Sequence, residues 1–182
     1  MKKKTLALVL ALTLLVAGVV GGTLAWLTDQ TAEVKNTFTV GDINIGLTET
    51  TADYKMVPGN TIAKDPTVTV KANSEACWLF VKVTGSTNLK DFITYAIAEG
   101  WTALSGVDGV YYREVPASAA DQTFSVLADN AVTVKSNVTK TTLETAKTNA
   151  PTLTITAYAS QLHKNATETF SASEAWNNIA NK

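Results

Sequence analysis

The chain has 182 residues, 46% of them hydrophobic, with 15 Lys and Arg against 16 Asp and Glu and a net charge of −1. Charge so balanced and so scattered gives no footing for a phosphate backbone, which argues against a nucleic-acid partner. One cysteine permits no internal disulfide, and one histidine cannot supply the several ligands of a zinc hydrolase.

Met1-Lys2-Lys3-Lys4 is a basic start with no acid nearby, and residues 6–20 form an almost unbroken apolar run. That run is shorter than the ~20 residues a membrane span needs, and Gly21-Gly22-Thr23-Leu24-Ala25 follows it with small residues. The order is that of a secretory signal, predicted here over residues 1–25, with the cut between Ala25 and Trp26. The alternative is an uncleaved N-terminal anchor, against which stand the short run and the lack of a basic stop-transfer cluster after it. No cysteine follows the apolar run, so a lipoprotein is not expected, and the final residues carry no apolar tail for anchoring. The product is expected outside the cell, on its surface or in its matrix, touching the membrane only before cleavage. Losing residues 1–25 removes three lysines and leaves 157 residues with 12 basic and 16 acidic side chains. That is enough chain for one domain with a real core.

Residues 26–39 read as an N-terminal arm and residues 40–182 as a single domain. Ile43, Ile45 and Leu47 alternate with polar residues, the pattern of a half-buried strand. Pro58-Gly59-Asn60 breaks the chain, and Asp65-Pro66 opens an extended piece over 67–70. Residues 76–83 are the strongest strand, with Cys77, Leu79, Val81 and Val83 on one face and Trp78, Phe80 and Lys82 on the other. Residues 93–97 alternate as well. Gly106-Val107-Asp108-Gly109 turns into 110–115 as a hairpin. Strands are predicted at 123–127 and 132–134, with a weaker helical pattern over 142–147. Leu153, Ile155, Ala157 and Ala159 form one apolar face of a late strand. Ser171 with Glu174 three residues on is a capping box. Behind it Ala172, Ala175, Trp176, Ile179 and Ala180 fall on one helical face, predicting a short docked C-terminal helix. Some eight strands and almost no helix point to an all-β, two-sheet antiparallel sandwich.

Three blocks carry a family resemblance: residues 22–29 with Asn36-Thr37-Phe38-Thr39-Val40-Gly41-Asp42-Ile43-Asn44-Ile45-Gly46-Leu47; Val57-Pro58-Gly59-Asn60-Thr61-Ile62-Ala63-Lys64-Asp65-Pro66-Thr67-Val68; and Leu153-Thr154-Ile155-Thr156-Ala157-Tyr158-Ala159-Ser160-Gln161 with Glu174-Ala175-Trp176. In this order they resemble the TasA/camelysin family of secreted Gram-positive proteins, which are matured by a SipW-type signal peptidase. The match is weakest over residues 85–150. The resemblance implies a jelly roll, SipW-dependent processing by that specialised peptidase, and a biofilm-matrix role. The camelysin branch bears a metalloprotease label, which His163, flanked by Leu162 and Lys164, does not carry over.

Catalytic and metal-binding residues are not expected, nor is a cofactor. Cys77 shares its strand face with Leu79, Val81 and Val83, the setting of a buried thiol rather than a nucleophile. Neither a Gly-x-Ser-x-Gly elbow, nor a phosphate-cradling loop, nor a calcium loop occurs. Trp101, Tyr111 and Tyr112 are the candidate binding face for a glycan or host protein, and core filling is the plainer reading of the same residues. The acceptor patterns at Asn137 and Asn165 are read as chance. The sequence thus favours a structural fibre subunit over a surface binding module, and both over a camelysin-like protease. The expected mechanism is strand addition by the arm, with Trp26, Leu27, Val34 and Phe38 as anchors, giving self-association into filaments.

Overall fold

Hydrophobic alternation in one nine-residue strand organises this molecule. The computed structural model describes residues 41–51 and 54–180. In chain order, β1 (Ile45–Thr48), β2 (Thr61–Ala63) and β3 (Thr67–Val70) precede the long β4 (Cys77–Gly85). A single helical turn, α1 (Leu89–Phe92), then leads into β5 (Ile93–Thr94). The hairpin of β6 (Thr102–Ala103) and β7 (Val110–Val115) follows, then β8 (Gln122–Ser125) and β9 (Ala131–Val134). Next come α2 (Lys140–Ala146), the nine-residue β10 (Leu153–Gln161) and the terminal helix α3 (Ala172–Ala180). The chain is an all-β antiparallel sandwich with a short C-terminal helix.

β4 is paired on both sides, with β10 along its whole length and with β7 over residues 77–82, and β6 closes that sheet. Its Cys77, Leu79, Val81 and Val83 face inward onto Val68 and Val70 of β3, with Val115 and Val126 completing the buried cluster. Its Phe80 and Trp78 face the other way, under α3, where Ala175 and Trp176 are buried against them. Tyr112 and Tyr158 join there, Trp176 meeting Phe80 and Tyr158 at 5.4 Å between ring centroids. The Trp78 indole donates to the Phe170 carbonyl at 2.8 Å and so fixes the entry to the helix. A sheet with two apolar faces needs two covers, and the chain supplies the second from its C-terminal segment.

The ladders divide into three sheets rather than the two expected: β10-β4-β7-β6, β1-β3-β8 and β2-β9-β5. The last two belong to one layer. Ala63 pairs with Ala131 and Thr67 with Ser125, so four steps on one strand match six on the other. The surplus is taken up at Ala128–Asn130, where Asp129 and Asn130 adopt φ of 55° and 50°. Asp and Asn tolerate that left-handed backbone better than other residues with a Cβ. Lys64 N–H donates to the Asn130 carbonyl at 2.7 Å and Val126 N–H to the Pro66 carbonyl at 2.9 Å, clamping both sides of the kink. Such an interruption is a bulge, which bends and twists a sheet without ending it.

Several boundaries differ from the expectation. β2 has only three residues and no alternation to betray it. The 93–97 segment is strand for two residues and then a lone bridge, Ile97 with Leu127, because the kink displaces its partner. The helix predicted over 142–147 is α2, capped by Thr139, whose Oγ1 accepts the Thr142 N–H at 3.2 Å. Its Ala146 is buried with Phe92, Val134 and Val138 in a third, smaller cluster. At the hairpin, Gly109 has φ of 70° and lies against the Val83 carbonyl so closely that a Cβ would clash.

Candidate functional site

Among the described residues β10, with nine residues, is the longest strand at the edge of a sheet. β4 takes one of its sides over all nine residues, and no ladder forms on the other side among the described residues. β1 lies beside it but pairs only with β3, so the two layers meet along an open seam. In an antiparallel edge strand about half of the N–H and C=O groups point away from the partner. Leu153, Ile155, Ala157 and Ala159 of β10, with Ile43 and Ile45 across the seam, are only half-buried while they pack on the core. Backbone donors, acceptors and apolar side chains are therefore all incompletely covered along one line.

Clefts bracket that line. At the start of β10, a cleft of about 450 Å³ is lined by Met56, Ile62, Leu89, Val132, Pro151 and Leu153, with Tyr54 and Lys64 at its polar wall. At the end of β10, another of about 450 Å³ is lined by Ile43, Ala159, Ser160, Gln161, Asn178 and Ile179. Lys64 is buried, ion-paired to Glu49 at 2.6 Å, and lies 5.0 Å from the Tyr54 ring centroid. The Tyr54 hydroxyl donates to the Thr51 carbonyl, and burial followed by its bond to Glu49 pushes its pKa upward. This cluster braces the loop after β1. Removing Glu49 would leave the buried Lys64 ammonium without its counter-ion.

The candidate binding face of Trp101, Tyr111 and Tyr112 does not form one face. Tyr111 and Tyr112 are neighbours on β7, and successive strand residues point to opposite sides. Trp101 and Tyr111 pack on the inter-sheet core, and the Trp101 indole donates to the Ser125 carbonyl at 2.9 Å. Tyr112 lies on the helix-covered side, edge-on to Trp78 at 5.5 Å. What the sequence reading passed over is Arg113. Its guanidinium lies 4.0 Å from the Phe124 ring centroid and 5.4 Å from that of Trp101, on the same side of β7 as Tyr111. The alternation that sends Tyr111 inward sends Arg113 inward too, and that was the available signal.

Cys77 is fully buried, and burial alone pushes its thiol up to about 11. His163 is exposed in a small hairpin bridged to Thr169. Asn165 there accepts from the Thr167 and Glu168 amides at 2.9 and 3.0 Å, shaping the turn. Among the described residues no three His, Cys, Asp or Glu gather as a metal site, and no helix is long and apolar enough to cross a membrane. Ala25, Trp26, Leu27, Val34 and Phe38 lie outside the described residues. No family model matches the chain, and neither a curated protein nor a solved structure matches it.

Proposed function

We propose that this chain is a secreted structural protein, a jelly-roll-like subunit of extracellular or cell-surface fibres that grow by β-strand addition. The observation that carries the reading is the unpaired side of β10, with half-buried apolar side chains along it and a cleft at either end. Strand addition satisfies the backbone of such an edge, and side chains entering the clefts set the register. The donor is the arm of residues 26–39, released when a specialised signal peptidase cuts between Ala25 and Trp26. Fourteen residues exceed the nine of β10, which leaves chain for a connection between subunits. Ile43, near the start of the described domain, lines the cleft at the far end of β10. A head-to-tail contact of this kind does not close on itself and therefore extends.

The test compares protein beginning at Trp26 with protein lacking residues 26–35, both verified as folded by circular dichroism. Electron microscopy and sedimentation should show fibres from the first and monomers from the second. Equal polymerisation of the two would remove the arm from the mechanism.

A further inference from the structure

Arg113 is the only arginine in the chain, beside 14 lysines. Among the described residues it makes no hydrogen bond and no ion pair, and its Nε is the one buried side-chain nitrogen or oxygen left without a partner. Every ion pair among the described residues uses lysine instead. A guanidinium carries five donors in a rigid plane, and burying it without an acceptor is costly. Burial lowers its pKa, yet arginine stays charged at any physiological pH.

The surroundings decide what could complete it. The Phe124 ring lies 4.0 Å away, Trp101 is the next wall, and Gly100 comes so near that a Cβ there would sit 3.0 Å from a terminal nitrogen of Arg113. Gly100 also has φ of 83°, a backbone conformation that favours glycine, and its approach leaves a Cβ little room. Trp101 is held in place by its bond to the Ser125 carbonyl, which leaves its N–H unavailable to a ligand. Rings and peptide occupy the environs of the guanidinium without offering an acceptor, and the side chain is only partly buried. Its N–H groups are the unspent part of the site. Their natural complement is a planar, two-oxygen acceptor.

We propose that Arg113 is the anchor of a carboxylate-binding site at the mouth of the sandwich between β6 and β8, walled by Trp101 and Phe124. The ligand is a small carboxylic acid, free or carried on a sugar as a uronate. The site is separate from the β10 seam and does not depend on the fibre reading.

A sole arginine yields a single Nε–Hε resonance, which makes nuclear magnetic resonance a direct reporter on the full-length protein. Acetate, glucuronate, glucose and inorganic phosphate are titrated in turn, with affinities from calorimetry. The expected result is a shift of that resonance by acetate or glucuronate, binding at least tenfold tighter than glucose, and loss of at least tenfold in Arg113→Met and Arg113→Lys. Met keeps the packing on Phe124 without charge; Lys keeps the charge without the fork. Acetate equal to glucuronate assigns the site to a small free acid, and tighter glucuronate assigns it to a sugar acid. An unmoved resonance, tighter binding of phosphate, or wild-type affinity in Arg113→Lys each overturns the proposal. Should either variant fail to fold, the resonance of the unaltered protein decides alone.

Discussion

Cys77 and Arg113 lie on facing strands of one sheet and show how the same interior treats two kinds of side chain. Cys77 stands opposite Val115 in the register, has no exposed surface, and behaves as a small hydrophobe. Burial raises the thiol to about 11, so the thiolate is scarce at neutral pH and the nucleophile is missing. Cys77→Ser is expected to destabilise the fold by on the order of 1–3 kcal/mol, since it places a hydroxyl in a fully buried apolar site, while assembly survives once the chain is folded. Denaturant titration measures the first effect. Labelling of the native protein by a thiol reagent should be slow, and rapid labelling would contradict burial. Arg113 is the opposite case, a charge kept near the core without a counter-ion, where an apolar residue would be the cheaper choice.

At the scale of the element, α3 depends on its first turn. The Ser171 N–H donates to Glu174 Oε2 at 2.8 Å and the Glu174 N–H to Ser171 Oγ at 3.3 Å, the reciprocal pattern the sequence predicts. Lys164 adds a bond to Glu174 Oε1 at 2.7 Å. Lys164 first, then Ser171, hold this carboxyl down at about 2, below its ordinary 4.5. A depressed carboxyl contributes stability that is complete above its unfolded pKa and is lost as pH falls through the folded one. Helix docking should therefore loosen between about pH 4.5 and pH 2. Trp176, buried against Phe80, reports it by fluorescence. Asp65 and Asp121 are also held low and add to any acid slope, so the diagnostic is a difference. Glu174→Gln should flatten the fluorescence change in that window, and an unchanged profile would show that the cap does not govern docking.

The described domain is two layers, and its long strand β10 has one unpaired side. β4 is sealed by strands on both edges, one layer beneath and a helix above, whereas β10 is sealed on one edge only. If that edge accepts the arm of a neighbour, assembly changes the protection of specific amides. In the monomer, roughly half of the β10 amides, those donating to β4, should exchange slowly with solvent deuterium and the alternate ones quickly. In fibres both sets should be slow. Outward β10 amides that stay fast in assembled material would place the contact elsewhere, even if the arm proved necessary.

Much of this architecture was legible from local pattern alone. Alternation over Cys77 to Val83 and over Leu153 to Ala159 identifies the two long strands and their inward faces, because a half-buried strand has a period of two. Ser171 and Glu174 mark a helix start, because capping is a contact within one turn. Thr61–Ala63 was not legible, since three residues cannot show a period. Nor was the division of one layer into two ladders, which follows from Asp129 and Asn130 adding two residues against a distant partner strand. Trp101, Tyr111 and Tyr112 look alike as aromatic residues, and only the tertiary structure parts them, two onto the inter-sheet core and one beneath the helix. The reason is general: residue type and spacing set which way a side chain points from its own strand, but what waits there is decided by chain far away in sequence. Local pattern determined the β class and the terminal helix. Packing between distant segments alone decided that β10 is an edge and that Arg113 stands without an acceptor.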